Sequence, residues 1–180
     1  MAAELRSILL GTAGLSVAAM VAVAITVFRG PIEASRPALQ AAARVAVVAI
    51  LIQAFHFAEE LVTGFYERFP EQLGLVPWSA SFFISFNLFW LGVWAFSQWG
   101  LLARRLPAVA ALWFLGIAGV VNGVAHPLLS ARVGGYFPGL ITSPFIGLAG
   151  VSLLRQLARV SRRPSTSTSL SRIGHKRRCS

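Results

Sequence analysis

Residues 45–66 read VAVVAILIQAFHFAEELVTGFY. A helix crosses the hydrocarbon core of a bilayer with about 20 mainly apolar residues, so the run is long enough to span. It nevertheless carries His56, Glu59 and Glu60 in its second half. Spacings of three and four return to one helical face, which sets His56 beside both carboxylates. Gln53, His56, Glu60 and Thr63 follow one another at the same spacing and draw a polar stripe down an apolar helix. Ionisable groups at the bilayer centre cost about 2.5–3.5 kcal/mol each on insertion scales. The stripe must therefore face a bundle interior or a water-filled cavity.

The rest of the chain agrees with a membrane setting. Of its 180 residues 56% are hydrophobic and 12% charged, and the mean hydropathy of +0.71 excludes an ordinary soluble domain. Four further spans are predicted: Ile8 to Phe28, Trp78 to Leu102, Leu106 to Ser130, and a less regular one from Tyr136 to Leu157 that Pro138 and Pro144 interrupt. The fold class is thus all-α, a polytopic bundle of five transmembrane helices. It divides into a first helix and loop (1–44), a four-helix membrane domain (45–157) and a basic tail (158–180) rich in Ser, Thr and Arg, which is expected to be disordered. No room remains for a separate soluble catalytic domain.

Charge placement orients the bundle. Arg6, Arg68 and Arg132 fall on one side and the other thirteen of the sixteen bases on the opposite side, so the positive-inside rule predicts the N-terminus outside and the C-terminus cytoplasmic. The same count weighs against a cleaved signal peptide at the first span, since a single Arg precedes it. The net charge of +10 is concentrated in the tail. No aromatic residues interleave with those bases and no binding module surrounds them, which argues against nucleic acid and for attraction to anionic membrane lipids. The single cysteine, Cys179, excludes an intramolecular disulfide framework and a multi-cysteine metal site.

The chemistry rests on the acidic pair. Two adjacent carboxylates cannot both ionise cheaply in a dry site, so one stays protonated or a divalent cation neutralises them. His with carboxylates is a donor set that suits zinc best, with iron or manganese also acceptable. The plainer alternative is that one or both Glu are hydrated near the outer surface. Asn122 and His126, four residues apart in the fourth span, supply matching donors. Gly116, Gly119 and Gly123 share the His126 face and allow close helix packing, which is also what glycine stripes commonly do without further function. Pro127 disfavours helical geometry at His126, so a kink or helix end is expected there. At 1.5 Å per residue, Glu60 and His56 lie roughly 9 and 15 Å below the outer end of their span, and Asn122 and His126 roughly 12 and 6 Å below theirs. Thr142 and Asn87 reach the same layer. Tyr136 to Thr142 would by itself read as an interfacial aromatic and a helix start, with Pro138 in the first turn and Gly139 permitting close backbone approach.

Together, His56-x-x-Glu59-Glu60, Asn122-x-x-x-His126 and Tyr136-x-Pro138-Gly139-x-x-Thr142 resemble, in order, the three signature motifs of the HXXEE-domain membrane proteins. The resemblance covers about residues 45–155. It implies a small integral membrane protein of a family without an established activity, suspected of metal-dependent catalysis. It supports His56, Glu60, His126 and Asn122 as metal ligands, with Glu59, Tyr136 and Thr142 as catalytic candidates.

Three functions remain compatible with these residues. The first is an intramembrane hydrolase in which a metal activates water, Glu60 ligates, and Glu59 serves as general base or as support to the ligands. Its substrate would be amphiphilic or lipid-like, reached near the outer leaflet. The second is a proton or metal-ion carrier, against which stand a third span without ionisable groups and no inverted repeat. The third is a purely structural membrane protein. The sequence is silent on oligomeric state.

Overall fold

The computed structural model describes residues 2–161. Seven helices and no strand occur among them: α1 (Ala2–Gly11), α2 (Ala13–Arg29), α3 (Arg36–Val62), α4 (Phe65–Gln72), α5 (Ala80–Leu102), α6 (Leu106–Val133) and α7 (Ser143–Val160). The all-α class is as expected. Three helices, α3, α5 and α6, are long and apolar enough to cross a membrane, with mean hydropathies of 1.8, 1.4 and 2.0, and α1 with α2 would make a fourth span bent by 48°. The 162–180 part of the tail, with Cys179, lies outside the described residues.

Helix α6 is the centre of the bundle, packed against α2, α3, α5 and α7. Its buried side chains Leu112, Trp113, Phe114 and Leu115 join Leu153 and Leu157 of α7 and Ala42, Ala46 and Ala49 of α3 in the main core. Outward-facing residues are also apolar: Phe28, Phe55, Phe96 and Leu148 are each at least 68% exposed. A water-facing bundle would carry polar groups there, whereas lipid-facing helices carry these.

The glycine stripe of α6 packs on α7. A Cβ on Gly123 would stand 2.7 Å from the Gly147 Cα, and one on Gly150 would stand 2.6 Å from the Gly116 carbonyl oxygen. The two backbones therefore touch, and any side chain at these positions would separate them. His126 stands at the end of this seam.

Element boundaries depart from expectation at five places. The first predicted span is broken at Thr12, whose hydroxyl bonds back to the Ile8 carbonyl at 2.7 Å, while Gly11 packs against the Trp78 ring. Such back-bonding by Thr commonly bends a helix. The second begins earlier, at Arg36 with Pro37 in the first turn, and ends at Val62 because Gly64 adopts φ +76° and turns the chain into α4. The 67–77 segment, predicted as loop, contains most of that short aromatic helix. The last helix starts at Ser143 with Pro144 in its first turn, so Tyr136 to Thr142 is not helical and Pro138 opens no helix. Pro127, by contrast, ends nothing: α6 continues to Val133. Proline is tolerated within membrane helices, where the backbone groups it frees can be satisfied locally.

Candidate metal centre

Glu59 and Glu60 are neighbours on the last turns of α3, and the helix sends them in different directions. Glu60 is buried, with 5% exposure, and its Oε1 lies 3.5 Å from Nε2 of His56 and 3.3 Å from Nε2 of His126. Both imidazoles are buried and meet edge to face, with ring centroids 4.8 Å apart. The three donor atoms all lie within 4.8 Å of one another. His56 stands six residues before the end of α3 and His126 seven before the end of α6. Both are thus about 9–11 Å below the same end of the bundle.

Glu59 turns to the segment between α6 and α7. Its Oε1 accepts from the Tyr136 hydroxyl at 2.7 Å and the Ile141 amide at 2.9 Å. Its Oε2 accepts from the Thr142 amide at 2.8 Å and the Thr142 hydroxyl at 2.5 Å. Two of these donors are backbone amides at the N-terminal end of α7, where an anion is favoured by the helix dipole. The carboxylate thus pairs two amides of a non-helical stretch. Burial, then the bond to Glu59, holds the Tyr136 hydroxyl above its ordinary pKa, which keeps it protonated and donating.

The same segment fixes both histidines. Thr142 spends its hydroxyl proton on Glu59, so its oxygen accepts from Nδ1 of His56 at 2.7 Å. Nδ1 of His126 donates to the Pro138 carbonyl at 2.6 Å. With Nδ1 protonated on each ring, the neutral imidazoles present their Nε2 lone pairs to the Glu60 oxygen. In that neutral form two lone pairs and a carboxylate oxygen would converge, and Nε2 of His56 is a buried polar atom without a hydrogen-bond partner. Gly139 makes room for the closure. Its φ is +86°, and a Cβ there would lie 2.5 Å from the His126 ring and 3.0 Å from that of His56.

These residues fit a divalent metal ion. Ligand bonds of about 2.1 Å in tetrahedral geometry place neighbouring donors about 3.4 Å apart; the two Glu60 to imidazole distances are 3.5 and 3.3 Å, and the two imidazole nitrogens lie within 4.8 Å of each other. Charge-assisted N–H to O bonds are shorter, about 2.7–2.9 Å. The histidines also carry the carbonyl and hydroxyl partners that metal-ligating imidazoles normally have on their other nitrogen.

Of the residues singled out by sequence, His56, Glu60 and His126 are brought together, while Glu59, Tyr136 and Thr142 form a second cluster joined to the first through His56. Asn122 is half-buried and lines a cavity of about 170 Å³ that also reaches Glu60 and His126. Sequence reasoning missed the aromatic contribution of α4 and its surroundings. Phe65 lies 5.4 Å from the His126 ring and 6.0 Å from Phe137, which is buried and held by its amide's bond to the Ser130 hydroxyl. The signal available was Gly64, a turn residue placed directly after the apolar run.

No curated protein and no solved structure gives a significant match to the chain. Residues 47–152, more than half of the chain and containing all three motifs, match the family described as "Protein of unknown function with HXXEE motif". The chain belongs to the HXXEE family.

Proposed function

We propose that this protein is a metal-dependent enzyme of the membrane, of hydrolase type, acting on a lipid-like or amphiphilic substrate near the outer leaflet. The observation that carries the reading is the convergence of two Nε2 lone pairs and the Glu60 carboxylate at metal-ligand rather than hydrogen-bond separations. His56, Glu60 and His126 hold the ion, zinc by donor type, with iron or manganese next. Such an ion supplies Lewis acidity toward a carbonyl or phosphoryl oxygen and makes water a competent nucleophile near neutral pH. Asn122, on the cavity side, orients the polar group of the substrate.

Glu59 acts as a positioning residue. Four donors occupy its two oxygens, and through Thr142 it keeps the His56 lone pair on Nε2. In a proton carrier the same cluster would hold an imidazolium against the carboxylate, for which 3.3 and 3.5 Å are long.

The reading includes five spans, counting α1 with α2 as one and α7 as another, with the C-terminus cytoplasmic. Elemental analysis of the purified protein tests the centre: about one equivalent of a divalent transition metal is expected, and none in His56→Ala. Equal and negligible metal in both would end the hydrolase reading. Reporter fusions after Ser180 and within 67–77 test the orientation, the first active only as a cytoplasmic fusion and the second only when exported.

A further inference from the structure

The two histidines of the centre are held by different anchors. His56 is fixed through Thr142 by Glu59, which also takes the Ile141 and Thr142 amides. His126 is fixed through the Pro138 carbonyl, and the bonds that lead to that carbonyl start from Ser130. This serine stands one turn beyond His126 on the same face of α6 and is buried, at 8% exposure. Its main-chain carbonyl accepts from the Gly135 amide at 3.1 Å and its hydroxyl from the Phe137 amide at 3.0 Å. Gly134, in the left-handed region at φ +69°, makes the reversal after the helix possible. The chain therefore leaves α6 and folds back onto a single residue.

Phe137 then opens a tight turn. Its carbonyl accepts from the Leu140 amide at 3.1 Å, with Pro138 and Gly139 between them. Proline fixes φ near about −65° at the first central position, and Gly139 has φ +86° at the second, the combination of a type II turn. The turn's own hydrogen bond uses the Phe137 carbonyl, which leaves that of Pro138 to receive Nδ1 of His126. Steric contact with the proline ring favours extended values at Phe137, so little backbone freedom separates the Ser130 bond from the His126 bond. The Phe137 ring, 2% exposed, packs with its centroid 6.4 Å from that of His126.

Resting on the metal-dependent reading above, we infer that Ser130 is a positioning residue of the centre. It holds the Phe137–Leu140 turn, and through it the Pro138 carbonyl, against His126, and so keeps the His126 lone pair on Nε2. Ser130 belongs to none of the three motifs, and it extends the Asn122-x-x-x-His126 spacing by one further turn. Each imidazole then has its own support, Glu59 for His56 and Ser130 for His126, and the loss of one support loosens one ligand.

The test uses the full chain in nanodiscs, labelled with 15N-histidine, as purified and after addition of zinc. Magnetic resonance reads how fast each Nδ1 proton exchanges with water. The chain has three histidines, and His56→Asn and His175→Asn serve only to assign the signals. Two variants remove the same bond: Ser130→Ala deletes the acceptor, and Phe137→phenyllactate replaces the amide N–H by an ester oxygen without touching the core. The second keeps the test open should the alanine variant fail to fold. In both, exchange at His126 should quicken about five- to tenfold, the effect of one hydrogen bond, while His56 stays within about twofold. Glu59→Gln should act mainly on His56. Zinc affinity, read by competition with a coloured chelator, should fall about three- to tenfold in both variants. Unchanged exchange at His126 would overturn the inference, as would equal quickening at both histidines, which would mean that the bond supports the fold and not one ligand. A wild type that takes up no zinc while His126 alone responds would sink the metal-dependent reading and keep the role of Ser130. Zinc bound equally by wild type and variants, with exchange unchanged, would do the reverse.

Discussion

The two carboxylates at the end of α3 are adjacent in sequence and opposite in circumstance. Glu59 has four donors on two oxygens, while Glu60 has two imidazole nitrogens directed at one oxygen, at 3.5 and 3.3 Å. A saturated carboxylate holds structure together, and a buried unsaturated one asks for a cation. The pair therefore separates what builds the site from what the site is for. Each substitution below moves one side of that contrast.

The largest effect is expected at Glu60. Glu60→Gln replaces a charged oxygen with a neutral amide and removes the negative charge that offsets the ion. Metal content measured by elemental analysis should fall from about one equivalent to background, because two neutral imidazoles alone make a poor site for a divalent cation. The fold should persist, since the 134–142 segment hydrogen-bonds to Glu59 and not to Glu60. If the purified variant keeps its full metal complement, the contrast between the two carboxylates collapses.

Next comes Gly139, the point where the two clusters touch. An alanine there meets the His126 ring at 2.5 Å, in a backbone conformation with φ +86° that non-glycine residues rarely adopt. The strain is of order 1–3 kcal/mol before the clash is counted, and the imidazole cannot yield without breaking its 2.6 Å bond to the Pro138 carbonyl. Gly139→Ala should lower both the midpoint of thermal unfolding and the metal affinity. An unchanged affinity would mean that the loop closes over the histidines without orienting them.

How far this was legible in the sequence follows from the same residues. Helical periodicity is local, so it placed His56 beside Glu60 and identified His126 as their distant partner. It also showed that Glu59 lies about 100° around the helix from Glu60. It could not show which carboxylate would face which neighbour, because that depends on α6 and on a nonhelical segment whose path is set by long-range hydrogen bonds to Glu59. Tyr136 to Thr142 stands out in the sequence as a motif whose pattern suits the start of a helix. A proline and a glycine describe a turn as well as a helix entry, and only the demand of Glu59 for donors decides between them. The break at Thr12 was hidden for a different reason: hydropathy averages over the bend, and the Thr12 back-bond changes nothing in composition.

Glu59→Gln probes the saturated side. The amide keeps the shape of the carboxylate but not its charge, and its NH2 group cannot accept from the Thr142 or Tyr136 donors. Losing bonds to a charged group should destabilise the protein by about 1.5–3 kcal/mol. Metal should still bind at full stoichiometry, though about 10–100-fold more weakly, as when the outer partner of a ligating histidine is lost. Complete loss of metal would make Glu59 a ligand in its own right and the centre wider than the three donors described. Loss of turnover with affinity unchanged would instead return Glu59 to the role of general base.

The smallest effect is expected at Tyr136, and it discriminates because it is small. Tyr136 gives Glu59 one of its four hydrogen bonds, at 2.7 Å, from a position 40% exposed. Water can replace a partner at that exposure, so Tyr136→Phe should cost no more than about 1 kcal/mol and leave metal content and affinity unchanged. Its hydroxyl is held protonated, because burial and the neighbouring carboxylate both raise its pKa, so it serves near neutral pH as a donor and not as a base. A metal-loaded enzyme with Phe at this position should therefore keep its activity profile on the alkaline side. A variant that binds metal normally, unfolds normally and yet loses turnover would place the Tyr136 hydroxyl among the reacting groups. The cluster around Glu59 would then belong to the chemistry as well as to the scaffold.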